Sequence, residues 1–169
     1  MVGVISVAVM WIQQFLAAKR RPKIVKEFLE QMTKMIKSMN RQNGWKYSCM
    51  EEFVLENGKL STDVAGKVKR GKMKECFKNA FQLADRYEDE LTYVEGFAVS
   101  KGVPLPVLHA WCVDKQKKVH DPTWKDGAEY FGVEFDLMYV RKVIVQRKHY
   151  GVIDNWEGQW PLLRGERYE

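Results

Sequence analysis

Apolar positions along this chain follow two periods, and the switch from one to the other divides it. From Pro22 onward, Val25, Phe28, Leu29, Met32, Met35, Ile36 and Met39 recur three or four residues apart, which lays one apolar stripe along a helix. Proline suits a helix's first turn, and Asn43-Gly44 ends the run. A Met-rich stripe is either core or a binding groove, and core is the commoner use. Tyr47 to Glu56 predicts a short second helix that carries Cys49, Phe53 and Leu55 and stops at Asn57-Gly58. Lys59 to Lys72, with two glycines and five basic residues, reads as a loop. Helical spacing returns at Phe77, Ala80, Phe81 and Ala84, so a third helix has Cys76 in its first turn.

The period then drops to two. Leu91 to Val99 and Val107 to Val113 read as strands joined by a turn at Lys101 to Pro106, and a polar turn at Asp114 to Lys117 leads into a third strand that reaches Trp124. Tyr130 to Phe135 reads as a further short strand, Leu137 to His149 as a helix because of its length, and the tail with Trp156 and Trp160 as a loop. The predicted fold class is α+β, with N-terminal helices and then a helix packed on a small antiparallel sheet. At 169 residues and 46% hydrophobic, the chain supports one such domain over 22–169, with residues 1–21 as an apolar extension.

That extension has two readings. Val2 to Ala18 is apolar except for Ser6, Gln13 and Gln14, and Lys19-Arg20-Arg21 follows it. It lacks the basic start of a signal peptide, and its length sits at the lower edge of a membrane span. It is either a helix packed on the domain or a partner, or an anchor with its basic end on the cytoplasmic side, which makes a membrane a partner through residues 2–18. The three cysteines form no CxxC pair and leave one unpaired in any disulfide scheme, which suits a reducing, cytoplasmic setting. The net charge of +6 is spread over helices that also carry acids, so it gives no footprint for nucleic acid.

Within this pattern three residues suit a catalytic role. Cys76 sits in the first turn of a helix, where free backbone N–H groups favour a thiolate. His109 lies on the Val107 to Val113 strand and Asp121 on the next. A tight turn pairs these strands antiparallel and brings Asp121 within about a residue of His109. Strand alternation puts His109 and Trp111 on one face, Ala110 and Cys112 on the other, so Cys112 is not the thiol for His109. Likewise His120 points away from Asp121. The set reads as nucleophile, base and orienter.

At these residues the chain resembles the transglutaminase-like group of papain-like cysteine enzymes, which carry a Cys at the start of a core helix, a His on a following strand and an Asp on the strand after that. The matching residues are Cys76, His109 in His-Ala-Trp and Asp121 in Asp-Pro-Thr-Trp, and the likeness spans about residues 70 to 125. The resemblance implies a transglutaminase-like fold and acyl transfer through a Cys76 thioester, by an amidase, a protease or a transferase acting on a peptide, protein or small amide. Substrate contacts are expected from Asn79, Glu95, Trp111 and Trp124. For each a plainer role stands beside it: Asn79 solvated or capping, Glu95 an exposed strand position, the tryptophans core.

No cofactor follows from the pattern. His109 and Cys112 show an HxxC spacing, but alternation splits them and no CxxC anchors a metal. There is no GxxxxGK[ST], GxGxxG or GxSxG. Two other function classes fit the chain: a catalytically silent module that binds protein or nucleic acid, and a membrane-anchored accessory protein.

Overall fold

A computed structural model describes residues 24–39, 44–65 and 68–168, without the side chains of residues 103 and 104. The proposed extension and anchor lie outside them. Five helices and five strands occur among the described residues: α1 (Ile24–Ser38), α2 (Met50–Asn57), β1 (Lys59–Ser61), α3 (Cys76–Arg86), β2 (Leu91–Ser100), β3 (Val103–Asp114), β4 (Val119–His120), β5 (Gly127–Phe135), α4 (Leu137–Arg147) and α5 (Pro161–Arg164). None of these helices is long and apolar enough to cross a membrane.

The strands form one antiparallel sheet in the order β1-β5-β2-β3-β4. Its strand alternation sorts two apolar clusters. Tyr93, Phe97, Ala110, Cys112, Val133 and Phe135 face the helices and make the larger core with Val25, Leu29, Phe53, Ala80, Ala84 and Val140. Val94, Ala98, Trp111, Val113, Val119 and Tyr130 make a smaller core on the other face, with Trp124 packed against it. The α+β class and the antiparallel sheet are as the pattern predicts.

Two helix starts have a side-chain carboxylate as acceptor. The N–H groups of Ile24 and Val25 donate to the buried Glu129 carboxylate at 3.1 and 2.7 Å, a negative group at the positive end of α1. The Asp136 side chain caps α4 through the N–H groups of Met138 and Tyr139 at 2.8 and 3.1 Å. Lys37 of α1 pairs with the buried Glu52 carboxylate of α2.

Several boundaries differ from the sequence pattern. Cys49 is not inside a helix but is the N-cap of α2, its sulfur accepting the Glu52 N–H at 3.4 Å. The basic loop begins as a strand, because the free edge of β5 gives Lys59, Leu60 and Ser61 a partner. The turn after β2 is only Lys101-Gly102, and the segment up to Pro106 is already β3. The strand expected to reach Trp124 ends at His120, where the chain turns at Asp121. The tail holds the short helix α5, started by Pro161 and ended by Gly165 at φ 93°. The stripe on α1 is core only in its first half: Val25 and Leu29 are buried, whereas Met35 and Met39 are 40% and 54% exposed.

Candidate active site

Cys76 is the first residue of α3. Its N-cap Glu75 makes no capping bond and turns its carboxylate toward Lys78 and Lys72, at 3.4 and 3.9 Å. The first-turn amides therefore keep no side-chain acceptor from the cap. The residue before the cap, Lys74, holds a left-handed backbone at φ 68°. Cys76 is half-buried, while Cys49 and Cys112 are buried. The helix is held in place on two sides. Cys112 on β3 donates its thiol to the Ala80 carbonyl at 3.3 Å, and Asn79 donates to the Lys72 carbonyl at 2.7 Å and to the Thr123 hydroxyl at 3.0 Å.

His109 sits mid-strand on β3 and is 1% exposed. In the sheet row it occupies, its neighbours are Gly96 on β2 and then Gly132 on β5. Gly132 leaves space that the Trp111 ring fills, since a methyl there would lie 2.5 Å from that ring, and Gly96 lies close against the backbone of Phe131 and Gly132. The His109 Nε2 meets Asp121 Oδ2 at 2.8 Å, and the Cys76 thiol is near enough to the ring to raise its pKa. With Nε2 taken by Asp121, Nδ1 is the nitrogen left for the sulfur. Burial alone would lower the imidazole's pKa, but the neighbouring Asp121 and Cys76 outweigh it and raise it to about 9. The raised pKa favours the doubly protonated ring, in which Nε2–H donates to the carboxylate.

Asp121 is 3% exposed and satisfied on both oxygens. Oδ1 accepts the N–H groups of Thr123 and Trp124 at 2.7 and 2.9 Å, and Oδ2 accepts His109 and the Tyr130 hydroxyl, the latter at 2.9 Å. Burial pushes its pKa up, and the bond and charge of His109 with the two amides bring it below its ordinary value. The observed register pairs Cys112 with His120 and Val113 with Val119, so continuing it would set residue 123 opposite His109. Asp121 reaches the ring because β4 stops and the chain bends inward, not because it is the cross-strand partner. His120 does face away, bonding Asp114 at 3.0 Å.

Three of the four residues expected as substrate contacts have other surroundings. Asn79 is 6% exposed, not solvated, and its amide ties the loop before α3 to the turn after β4. Glu95 is not an exposed strand position, since alternation puts it on the helix-covered face with Tyr93 and Phe97, opposite to His109. Fully buried there, its carboxylate accepts Tyr93 Oη–H at 2.6 Å and the N–H groups of Val152 and Ile153 at 2.7 and 3.0 Å. Burial pushes Glu95 up to about 7 against these bonds. Trp111 is core, 1% exposed, and its ring N–H has no partner among the described residues. Trp124 does stand at the site, half-buried and stacked on His109.

Tyr130 was not foreseen from sequence. It comes from β5, and its hydroxyl fits only because Gly127 has no side chain, where a methyl would overlap it. A signal exists in principle: a tyrosine on a buried strand needs a partner for its hydroxyl. Among the described residues no group of three or more His, Cys, Asp and Glu is placed to hold a metal ion. The arrangement offers a reachable thiol, a protonated imidazole beside it and a buried carboxylate fixing that imidazole. No family model matches this chain, and neither does any curated protein or solved structure.

Proposed function

We propose that this chain is a cysteine-dependent acyl-transfer enzyme with a transglutaminase-like fold, working on a peptide, protein or small amide in a reducing, cytoplasmic setting. The observation that carries the reading is the chain of contacts from the half-buried Cys76, through His109, to the buried Asp121. Order along the chain supports it as well, with the thiol at a helix start and the imidazole on a strand packed under that helix.

In this reading the Cys76 sulfur attacks the substrate carbonyl carbon, and the proton of the thiol resides on His109. The tetrahedral adduct collapses when the C–N bond breaks and His109 gives its proton to the leaving amine. The acyl group is then a thioester on Cys76. Water or a second amine attacks it, His109 takes the proton of the incoming nucleophile, and the C–S bond breaks to return the sulfur. Asp121 keeps the ring oriented and its Nε2 protonated throughout, without accepting the proton itself.

An acyl-enzyme is the species that tests this. With p-nitrophenyl acetate as donor, the chain releases a stoichiometric burst of p-nitrophenolate and gains one acetyl group on Cys76, removable by hydroxylamine. Cys76→Ala gives no burst. Acetylation confined to surface lysines, with no adduct on Cys76, contradicts the proposal and favours a silent binding module.

A further inference from the structure

Beside α3 lies a groove of about 500 Å³ that the proposed chemistry leaves unused. The helix lends it Asn79, Gln82, Leu83, Arg86 and Tyr87, spaced i, i+3, i+4, i+7 and i+8, which is one face. Ala80 and Ala84 turn the opposite way into the main core, while on this face Leu83 also packs against that core and Asn79 ties the helix to its neighbours. The facing bank is the segment Val68 to Gly71. One end of the groove, at Asn79, is a single helical turn from Cys76, and Pro122, next to Asp121, belongs to the same wall.

The lining has an apolar part and a charged part. Leu83, Leu91 and Pro122 supply the first. Lys69 and Arg70 on one bank and Arg86 on the other supply the second, while His120 is already paired with Asp114. Lys69, Arg70 and Arg86 are exposed and have no ion-pair partner among the described residues. The nearby acids Asp85 and Glu88 do not neutralise them, because both are engaged by Arg141. Glu90 is the single acid in the lining.

We propose that this groove binds an extended acidic peptide segment, with apolar side chains over Leu83 and Leu91 and carboxylates at Lys69, Arg70 and Arg86. Its volume is in the range of ligand sites, ~300–1,000 Å³. Positive charge on both banks of an apolar trough complements a chain in which acids alternate with apolar residues. A polynucleotide fits less well: it needs stacking platforms and an unbroken positive track, and here Tyr87 is the one large ring in the lining and Glu90 interrupts the charge. The inference concerns binding and stands apart from the thiol chemistry.

Fluorescence anisotropy on the full chain tests it with three probes: a fluorescein-labelled peptide alternating Glu and Leu, its Gln-for-Glu counterpart, and a single-stranded oligonucleotide. The Glu peptide binds saturably, the Gln peptide much more weakly, and added salt weakens the first. Arg70→Glu/Arg86→Glu weakens it roughly tenfold or more with an unchanged circular dichroism spectrum, Arg70→Gln/Arg86→Gln by less, and Glu90→Gln tightens it. Cys76→Ala binds as the wild type does, so failure of the groove and failure of the acyl chemistry read out separately. Equal binding of the two peptides, indifference to the charge-reversed pair, or preference for the oligonucleotide overturns the proposal.

Discussion

Trp124 lies flat on the ring of His109, with centroids 3.9 Å apart and planes 12° from parallel. The indole covers one face of the imidazole, keeps water from the His109–Asp121 bond and attracts the ring's positive charge. Its own backbone N–H donates to Asp121 at 2.9 Å, so one residue both seals the pair and fixes the carboxylate. Trp124→Ala keeps that N–H and loses the cover. It lowers the rate of Cys76 alkylation about tenfold and costs about 1–3 kcal/mol of stability, while Trp124→Phe retains most of both. Alkylation kinetics and urea unfolding check this, and equal behaviour of Ala and Phe would contradict it.

Asp121 Oδ2 accepts two donors, and they differ in what they do. Asp121→Asn turns an amide donor toward His109 Nε2–H, so the ring takes the other tautomer and turnover falls by roughly two to four orders of magnitude with the fold retained. Tyr130→Phe removes one hydrogen bond to the carboxylate, costs about 1.5–3 kcal/mol and lowers turnover far less. His120→Ala, on the opposite face, changes turnover little. A larger loss in His120→Ala than in Asp121→Asn would assign the imidazole's partner wrongly.

The parts of the site that were legible in the sequence are local ones. Cys76 showed itself through the helical spacing of Phe77, Ala80 and Phe81, and the split of His109 from Cys112 through strand alternation. Tyr130 and Glu95 depended on nonlocal packing. Tyr130 joins Asp121 only because β5 crosses to lie beside β2, and no spacing around residue 121 encodes that. Glu95 read as exposed because alternation implies one wet face, whereas β2 is central and Tyr93 to Ser100 are buried on both sides. Lys59–Ser61 carries no strand pattern of its own and is a strand only because the edge of β5 is free to pair.

Two buried groups set the pH dependence of stability in adjoining windows. Burial raises Glu95 from 4.5 to about 7, so between those values the folded chain holds a proton that the unfolded chain has released, and stability falls as pH rises through them. His109 acts with the same sign one step higher: burial lowers it, Asp121 and Cys76 raise it from 6.5 to about 9, and its contribution, complete below 6.5, is lost as pH rises through 9. Asp121 has the reverse sign, its contribution being present above its ordinary value of 3.8 and lost as pH falls through its lowered one. The chain is therefore most stable at mildly acidic pH. Urea midpoints against pH should flatten below 7 in Glu95→Gln and above 7 in His109→Gln. Wild-type slopes in both variants would remove the assignment.

Selective alkylation is the most direct test of the central claim that Cys76 and His109 act as a pair. Cys76 is half-buried and close enough to His109 to raise that ring's pKa, while Cys49 is a buried cap and Cys112 a buried donor to the Ala80 carbonyl, and burial raises the pKa of both these thiols. Limiting iodoacetamide at mildly acidic pH, followed by peptide mapping, should label Cys76 first and leave the other two largely unmodified. His109→Ala should slow that labelling by roughly tenfold or more, since the partner of the sulfur is gone. Equal labelling of the three cysteines in the folded chain, or an unchanged rate in His109→Ala, would contradict the pairing and with it the proposed acyl transfer.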